Sequence, residues 1–215
     1  LSNFLNACND LCVVNFGNNN DSLSNALNIF TAIEDKPKYV CITKHRDHCE
    51  ANLSGIQTEG AFRQIDESDA LSVDHLESMT VEEIEILRNS NTMPTVLPGT
   101  SFFLNMPYGK ARKMIDAGLS VAVASDYNPG STPSGDMKFV VSLACIKLRL
   151  QPSEALNAAT INGAYAMGES VNYGSIAKGK VANFFITHPI PSLDFIPYSY
   201  TTPIVKTVVL AGCVV

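Results

Sequence analysis

The chain has 215 residues, of which 46% are apolar and 17% charged, and its formal net charge is −6. This composition is typical of a folded globular protein, and the sequence contains no run of about 18 apolar residues that would predict a membrane span. For that reason we expect no membrane partner. The acidic net charge and the scattered lysines and arginines do not suit a phosphate backbone, so we expect no nucleic-acid partner either.

The six cysteines are spread along the chain without a compact framework, which predicts reduced thiols in a cytoplasmic protein. No basic segment typical of a signal peptide opens the chain, and its first residue is Leu1, not an initiator methionine. We therefore expect the sequence to begin inside a longer protein.

The amino-terminal part predicts one outer helix and one short strand. Residues 23–34 repeat apolar side chains at helical spacing, and residues 38–43 have the β-branched and aromatic content of a strand. Directly after that strand, the segment KHRDHCE carries His45, His48 and Glu50. Imidazole and carboxylate groups at a strand end are possible zinc ligands, but a charged surface loop explains the same residues, and both interpretations stay open. A structural zinc domain is a further reading, with the set Cys8, Cys12, His45, His48 and Cys49.

Residues 70–150 alternate predicted strands and helices. Strands are expected at 70–73, 93–97 and 119–124. Helices are expected from residue 81 onward, at 108–117 and at 137–150, and a loop is expected at 98–107. Thr80 followed by Glu83 predicts a capping box, and Gly118 is a typical helix stop. In the first of these helices the apolar face is predicted to comprise Val81, Ile84, Ile86 and Leu87. This alternation predicts a parallel sheet with right-handed crossovers.

Two polar side chains follow predicted strands of this sheet. His75 comes just after the strand at 70–73, and Asp126 comes just after the buried strand at 119–124. The carboxyl ends of parallel strands are where α/β folds place ligands and catalytic groups. The loop after Asp126 contains Asn128 and Gly130 and can bring backbone N–H groups close to a small molecule, although an aspartate that only caps a turn fits the same pattern.

The carboxyl-terminal part predicts a helix and then a small β unit. Pro152 at the first helical position and Gly168 after the last predict a helix over 152–167. Residues 174–187 and 203–215 are rich in β-branched residues and predict strands separate from the parallel sheet.

Five segments together resemble one family of enzymes. They are SVDHLE (72–77), LPGTSFFL (97–104), ASDYNPGS (124–131), SLACIKLRLQPSEALNAATINGAYAMG (142–168) and GSIAKGKVANFFI (174–186). The chain is similar here to the imidazolonepropionase family of the metal-dependent amidohydrolase superfamily. The resemblance implies an α/β fold, namely about strands five to eight of a (β/α)₈ TIM-type barrel over residues 1–169, followed by part of a small β-sandwich over 170–215.

The resemblance also implies roles for individual residues. Asp126 would ligate a metal and accept a proton from its bound water, and His75 would polarise the carbonyl under attack. Asn128, Gly130 and Ser131 would hold the substrate, a small cyclic amide. The expected reaction opens the C–N bond of 4-imidazolone-5-propanoate to give N-formimidoylglutamate, a step of histidine degradation.

The sequence offers only part of the remaining ligand set of the implied metal site. One zinc or iron ion is expected, with His48 or His45 as a further metal ligand and Glu50 as a weak candidate for a substrate-binding acid. The H-x-H pair that the superfamily needs after its first barrel strand does not occur in this sequence. We therefore expect a half-barrel with an incomplete metal site, and exposed edges that allow homo-oligomers. The alternatives are a dihydroorotase-like or cytosine-deaminase-like amidohydrolase, and a non-catalytic α/β fragment with a binding or assembly role.

Overall fold

The computed structural model describes residues 39–40, 71–77, 79–130 and 132–215, so the predicted helix at 23–34 lies outside the described residues. The strands are β1 (Tyr39–Val40), β2 (Ser72–Asp74), β3 (Met93–Val96), β4 (Ala122–Val123), β5 (Phe184–Thr187), β6 (Val205–Leu210) and β7 (Cys213–Val214). The helices are α1 (Val81–Arg88), α2 (Pro98–Phe103), α3 (Ala111–Asp116), α4 (Met137–Ile146), α5 (Pro152–Ala159), α6 (Ile161–Ala166) and α7 (Phe195–Tyr198).

The first four strands form one parallel sheet in the order β1-β2-β3-β4. Asp74 pairs in register with Thr95, and Thr95 pairs with Ala122. The alternation of strands and helices predicted over residues 70–150 is therefore confirmed, and the strand predicted at 38–43 contains β1. Since neighbouring strands are parallel and consecutive, their carboxyl ends lie along one edge of the sheet.

The main core lies between this sheet and the helices that cross over it. Val73 and Met114 are completely buried, and Val96, Val121 and Val140 are nearly so. Both residues of strand β4 are buried, as expected for a strand of a parallel sheet whose two faces are covered. A closely packed core therefore supports the carboxyl ends of these strands.

Helix α1 confirms the predicted capping box but only half of the predicted apolar face. The Thr80 hydroxyl accepts from the Glu83 backbone N–H, and the Glu83 side chain accepts from the Thr80 backbone N–H. Ile84 and Leu87 are buried, whereas Val81 is 52% exposed and Ile86 39% exposed. Ile86 was wrongly assigned because it lies about 200° around the helix from Ile84. Val81 is the first residue of the helix, and burial begins at Glu83.

Two further predictions of secondary structure were wrong in part. Residues 98–107 contain helix α2 instead of only a loop, because Pro98 occupies the first helical position and its fixed φ suits a helix start. The helix predicted over 152–167 is two helices, α5 and α6, separated at Thr160, whose φ of −122° and ψ of −88° are not helical. Gly174 passes so close that a Cβ there would lie 2.8 Å from Ile161 Cα, so the break is packed against a later segment.

Strands β5, β6 and β7 form a second, antiparallel sheet in that order, which confirms the strands predicted in the carboxyl-terminal part. Helix α7, which lies between β5 and β6 in sequence, packs on α4, where the Ser142 hydroxyl donates to the Pro197 carbonyl at 2.8 Å. Among the described helices, none has the length and apolar character needed to cross a membrane.

Candidate active site

The ends of three neighbouring strands bring His75 and Asp126 together. His75 follows β2, Asp126 follows β4 by three residues, and β3 lies between these two strands in the sheet. His75 Nε2 lies 3.8 Å from Asp126 Oδ2, and the two side chains are 10% and 22% exposed. The structure thus joins an imidazole and a carboxylate that are fifty-one residues apart in the sequence, at the edge where parallel sheets place reactive groups.

Both residues have an unusual backbone conformation. The φ angle is 59° at His75 and 51° at Asp126, in the left-handed region that side chains with a Cβ seldom adopt. Such a conformation costs about 1 to 3 kcal/mol and persists only where the surrounding structure enforces it. Strain at two facing strand ends is typical of a functional site, where the backbone directs a side chain toward a reacting group.

Hydrogen bonds hold the Asp126 carboxylate from both sides. The Thr100 hydroxyl, in the first turn of α2, donates to Oδ2 at 2.7 Å. The Asn128 side-chain amide donates to Oδ1 at 3.0 Å and to the Asp126 backbone carbonyl at 2.9 Å. Each carboxylate oxygen therefore has a donor, and the side chain is fixed in the direction of His75.

The loop after Asp126 folds back on itself. Asn128 and Thr132 exchange two backbone hydrogen bonds, at 3.1 Å and 3.2 Å. The Gly130 backbone N–H donates to Asn128 Oδ1 at 2.9 Å. In this arrangement the Asn128 amide uses its oxygen to close the loop and its NH₂ group to hold Asp126, so the loop and the carboxylate are one connected unit.

Two more acidic side chains flank His75. Glu77 Oε1 lies 3.7 Å from His75 Nδ1, and the Glu77 side chain is only 7% exposed. Burial raises the pKa of the neighbouring Asp74 carboxyl from 3.8 to about 6. His75 and Thr95 oppose that rise, and the carboxylates of Asp126 and Glu77 add to it. A carboxylate thus lies near each ring nitrogen of His75. This arrangement suits an imidazole that donates hydrogen bonds.

Replacing Asp74 by asparagine is expected to stabilise the fold at neutral pH. The raised pKa means that the folded protein keeps this proton to about pH 6, whereas an unfolded aspartate loses it near pH 4, so stability falls as pH rises through that window. The urea midpoint of Asp74→Asn should exceed that of the parent at about pH 7.5 and match it at about pH 4. An equal difference at both pH values would contradict the assignment.

Several predicted residues lie outside the described part of the chain, namely His45, His48, Glu50 and Ser131. Among the residues that the structure describes, no group of three His, Cys, Asp or Glu side chains is placed to hold a metal ion. Sequence reasoning missed Thr100 and Thr132. Thr100 could have been found, because it follows β3, which lies between the two strands that carry His75 and Asp126.

Comparison with known proteins identifies relatives of this chain. The family model described as "Amidohydrolase family" matches residues 47–215. The imidazolonepropionase of Christiangramia forsetii is 58% identical over 146 residues, which are 68% of this chain and 36% of that protein. The imidazolonepropionase of Flavobacterium johnsoniae is 53% identical over 164 residues, 76% of this chain and 38% of that protein. The chain thus spans little more than a third of the length of these curated relatives.

A solved structure shares the fold. The adenosine deaminase from Xanthomonas campestris, with bound zinc, superposes with a TM-score of 0.71 at 21% identity. The match covers 91% of this chain and 48% of that chain. At this identity the likeness establishes the architecture alone, and it confirms the expected α/β fold as part of a larger barrel.

Proposed function

Because this chain belongs to the amidohydrolase family, we propose that its strand ends carry part of a hydrolytic site that opens a cyclic amide. The proposed substrate is 4-imidazolone-5-propanoate and the product N-formimidoylglutamate, as the names of the 58% and 53% identical relatives suggest. The observation that carries the proposal is the approach of His75 Nε2 to Asp126 Oδ2 at 3.8 Å. A pair of this kind can act on a carbonyl and on the water that attacks it.

The proposed roles follow from the protons that each side chain can accept and the hydrogen bonds that it can donate. The Asp126 carboxylate accepts a proton from the attacking water as the water oxygen bonds to the carbonyl carbon. The His75 imidazole donates a hydrogen bond to the carbonyl oxygen as negative charge develops there. When the ring C–N bond breaks, Asp126 returns the proton to the departing nitrogen. Asn128 and Gly130 order the loop beside the carboxylate, and Ser131 is proposed to complete the substrate contacts.

A metal cofactor, zinc or iron, is also proposed. A bound ion would lower the pKa of a coordinated water and polarise the carbonyl. The described residues do not by themselves fit such an ion, because Asp126 has no two further ligands beside it in the described ranges. The roles given to Asp126 and His75 are therefore derived from these side chains alone, and His45 or His48 is proposed as an additional ligand.

We further propose that residues 1–169 belong to the barrel and 170–215 to a β-sandwich segment. The change from a parallel to an antiparallel sheet between β4 and β5 supports this division. A partial barrel with exposed strand edges is expected to associate with another copy or with a complementary segment.

A chimera provides the test of the proposed activity. In it, residues 71–215 replace their counterpart in the Christiangramia forsetii relative, which supplies the rest of the barrel. The purified chimera is incubated with 4-imidazolone-5-propanoate, dihydroorotate and cytosine, and the products are identified by mass spectrometry. We expect N-formimidoylglutamate from the first substrate alone. Turnover of dihydroorotate or cytosine in preference, or of no substrate by a folded, metal-loaded chimera, would contradict the proposal.

A further inference from the structure

We propose that Thr100 and Thr132 form a buried hydroxyl chain that positions the Asp126 carboxylate for reaction, with Thr100 as the positioning residue. The kinetic part of this inference rests on the proposed function, since it assigns Asp126 the role of proton acceptor. Thr100 Oγ1 lies 2.7 Å from Asp126 Oδ2 and 2.8 Å from Thr132 Oγ1. The three oxygens thus form one continuous chain of hydrogen bonds.

The direction of the chain follows from hydrogen-bond chemistry. An ionised carboxylate only accepts, so the single Thr100 hydroxyl proton must point at Asp126. The Thr100 oxygen is then left as an acceptor, and Thr132 donates to it. A donor that is itself polarised by a second hydroxyl binds its acceptor more strongly than an isolated one.

Burial keeps bulk water from competing for the hydroxyls of Thr100 and Thr132. Thr100 is 2% exposed and Thr132 is 5% exposed, so neither hydroxyl is open to bulk water. Gly99 brings the start of α2 against the loop, because a Cβ there would lie 3.1 Å from Thr132 Cγ2 and 3.5 Å from the Ser125 carbonyl oxygen. A Cβ at position 99 would crowd the Thr132 side chain, so the glycine favours the close approach of α2 and the loop that brings the two hydroxyls together.

The chain also closes a ring around Asp126. Thr132 is tied to Asn128 by the two backbone hydrogen bonds of the loop, and Asn128 donates to the second carboxylate oxygen at 3.0 Å. The route therefore runs from Oδ2 through Thr100 and Thr132 to Asn128 and back to Oδ1. A carboxylate gripped at both oxygens loses rotation about its side-chain bonds, and a reacting group held in this way needs less ordering before each reaction.

The kinetic test compares variants of the chimera. We expect Thr100→Val, which keeps the shape and removes the hydroxyl, to lower kcat about 10- to 100-fold with little change in KM, and Thr100→Ser to keep kcat within about threefold of the parent. Thr132→Val should give a smaller loss of kcat in the same direction. The matched control is Thr207→Val on β6, a half-buried strand position in the other sheet, which should leave both constants unchanged.

A crystal structure of the Thr100→Val chimera supplies a readout that does not depend on activity. The Asp126 carboxylate is expected to rotate away from its position in the parent, while the backbone of α2 stays in place. If the parent chimera is inactive yet Asp126 rotates, the proposed function fails and the positioning role stands. An unmoved carboxylate, or a Thr100→Val variant with the parent's kcat, would overturn the inference, as would an equal loss of kcat in Thr100→Ser and Thr100→Val.

Discussion

Replacing Asp126 by asparagine in the chimera is expected to lower kcat/KM for 4-imidazolone-5-propanoate about 10²- to 10⁴-fold. An amide cannot take the proton of the attacking water. Its NH₂ group would also face one of the two donors, the Thr100 hydroxyl or the Asn128 amide, that now hold the carboxylate oxygens at 2.7 Å and 3.0 Å. Steady-state kinetics of the parent and variant, with the product measured directly, provide the measurement.

The matched control for this substitution is Asp136→Asn. The Asp136 side chain caps α4 by accepting from the backbone N–H groups of Lys138 and Phe139, at 2.9 Å and 3.3 Å. Asparagine caps helices about as well as aspartate, so the control should keep both stability and activity near those of the parent. If Asp126→Asn lost no more activity than Asp136→Asn, the role of proton acceptor would have to be given up.

The second large effect is expected at His75. We expect His75→Gln to lower kcat about 10²- to 10³-fold, because one hydrogen-bond donor to the developing oxyanion would be misplaced. His75 is held between Asp126 and Glu77, at 3.8 Å and 3.7 Å, and a glutamine of different length and branching does not occupy that place. Product formation under substrate saturation measures kcat directly.

His188→Gln is the control for the histidine substitution, because His188 is exposed and follows β5 in the second sheet. It should leave kcat unchanged. A His75→Gln variant that lost substrate affinity alone, with kcat preserved, would show that His75 binds the ground state without stabilising the transition state.

Local sequence patterns were enough to predict the positions of the two central residues. His75 and Asp126 were recognised because each follows an apolar stretch of strand character, and the carboxyl ends of parallel strands meet at one edge. The capping box of Thr80 and Glu83 and the helix stop at Gly118 were predicted for the same reason, since each depends on neighbours within a few residues. Strands near the carboxyl terminus were also predicted, from the β-branched content of residues 174–187 and 203–215, whereas their antiparallel pairing was not.

Features that depend on distant contacts were not predictable in this way. The hydrogen bond from Thr100 to Asp126 spans twenty-six residues, and residues 98–107 were predicted as a loop although α2 starts there. The break at Thr160 is packed against Gly174, a contact between distant residues that no local pattern contains. The positive φ angles of His75 and Asp126 were likewise not predicted, because few non-glycine residues adopt that region and no local pattern marks these two.

The account's central claim is that residues 71–215 carry the Asp126 and His75 side of a metal-assisted site, and that the H-x-H ligand pair of that site does not occur in this sequence. Metal content, measured by mass spectrometry after gel filtration, and turnover of 4-imidazolone-5-propanoate are to be compared for the 215-residue chain alone and for the chimera. The account predicts about one zinc or iron per chimera with turnover, and far less metal without turnover for the chain alone. One tightly bound metal ion per chain, together with turnover by the 215 residues alone, would contradict it.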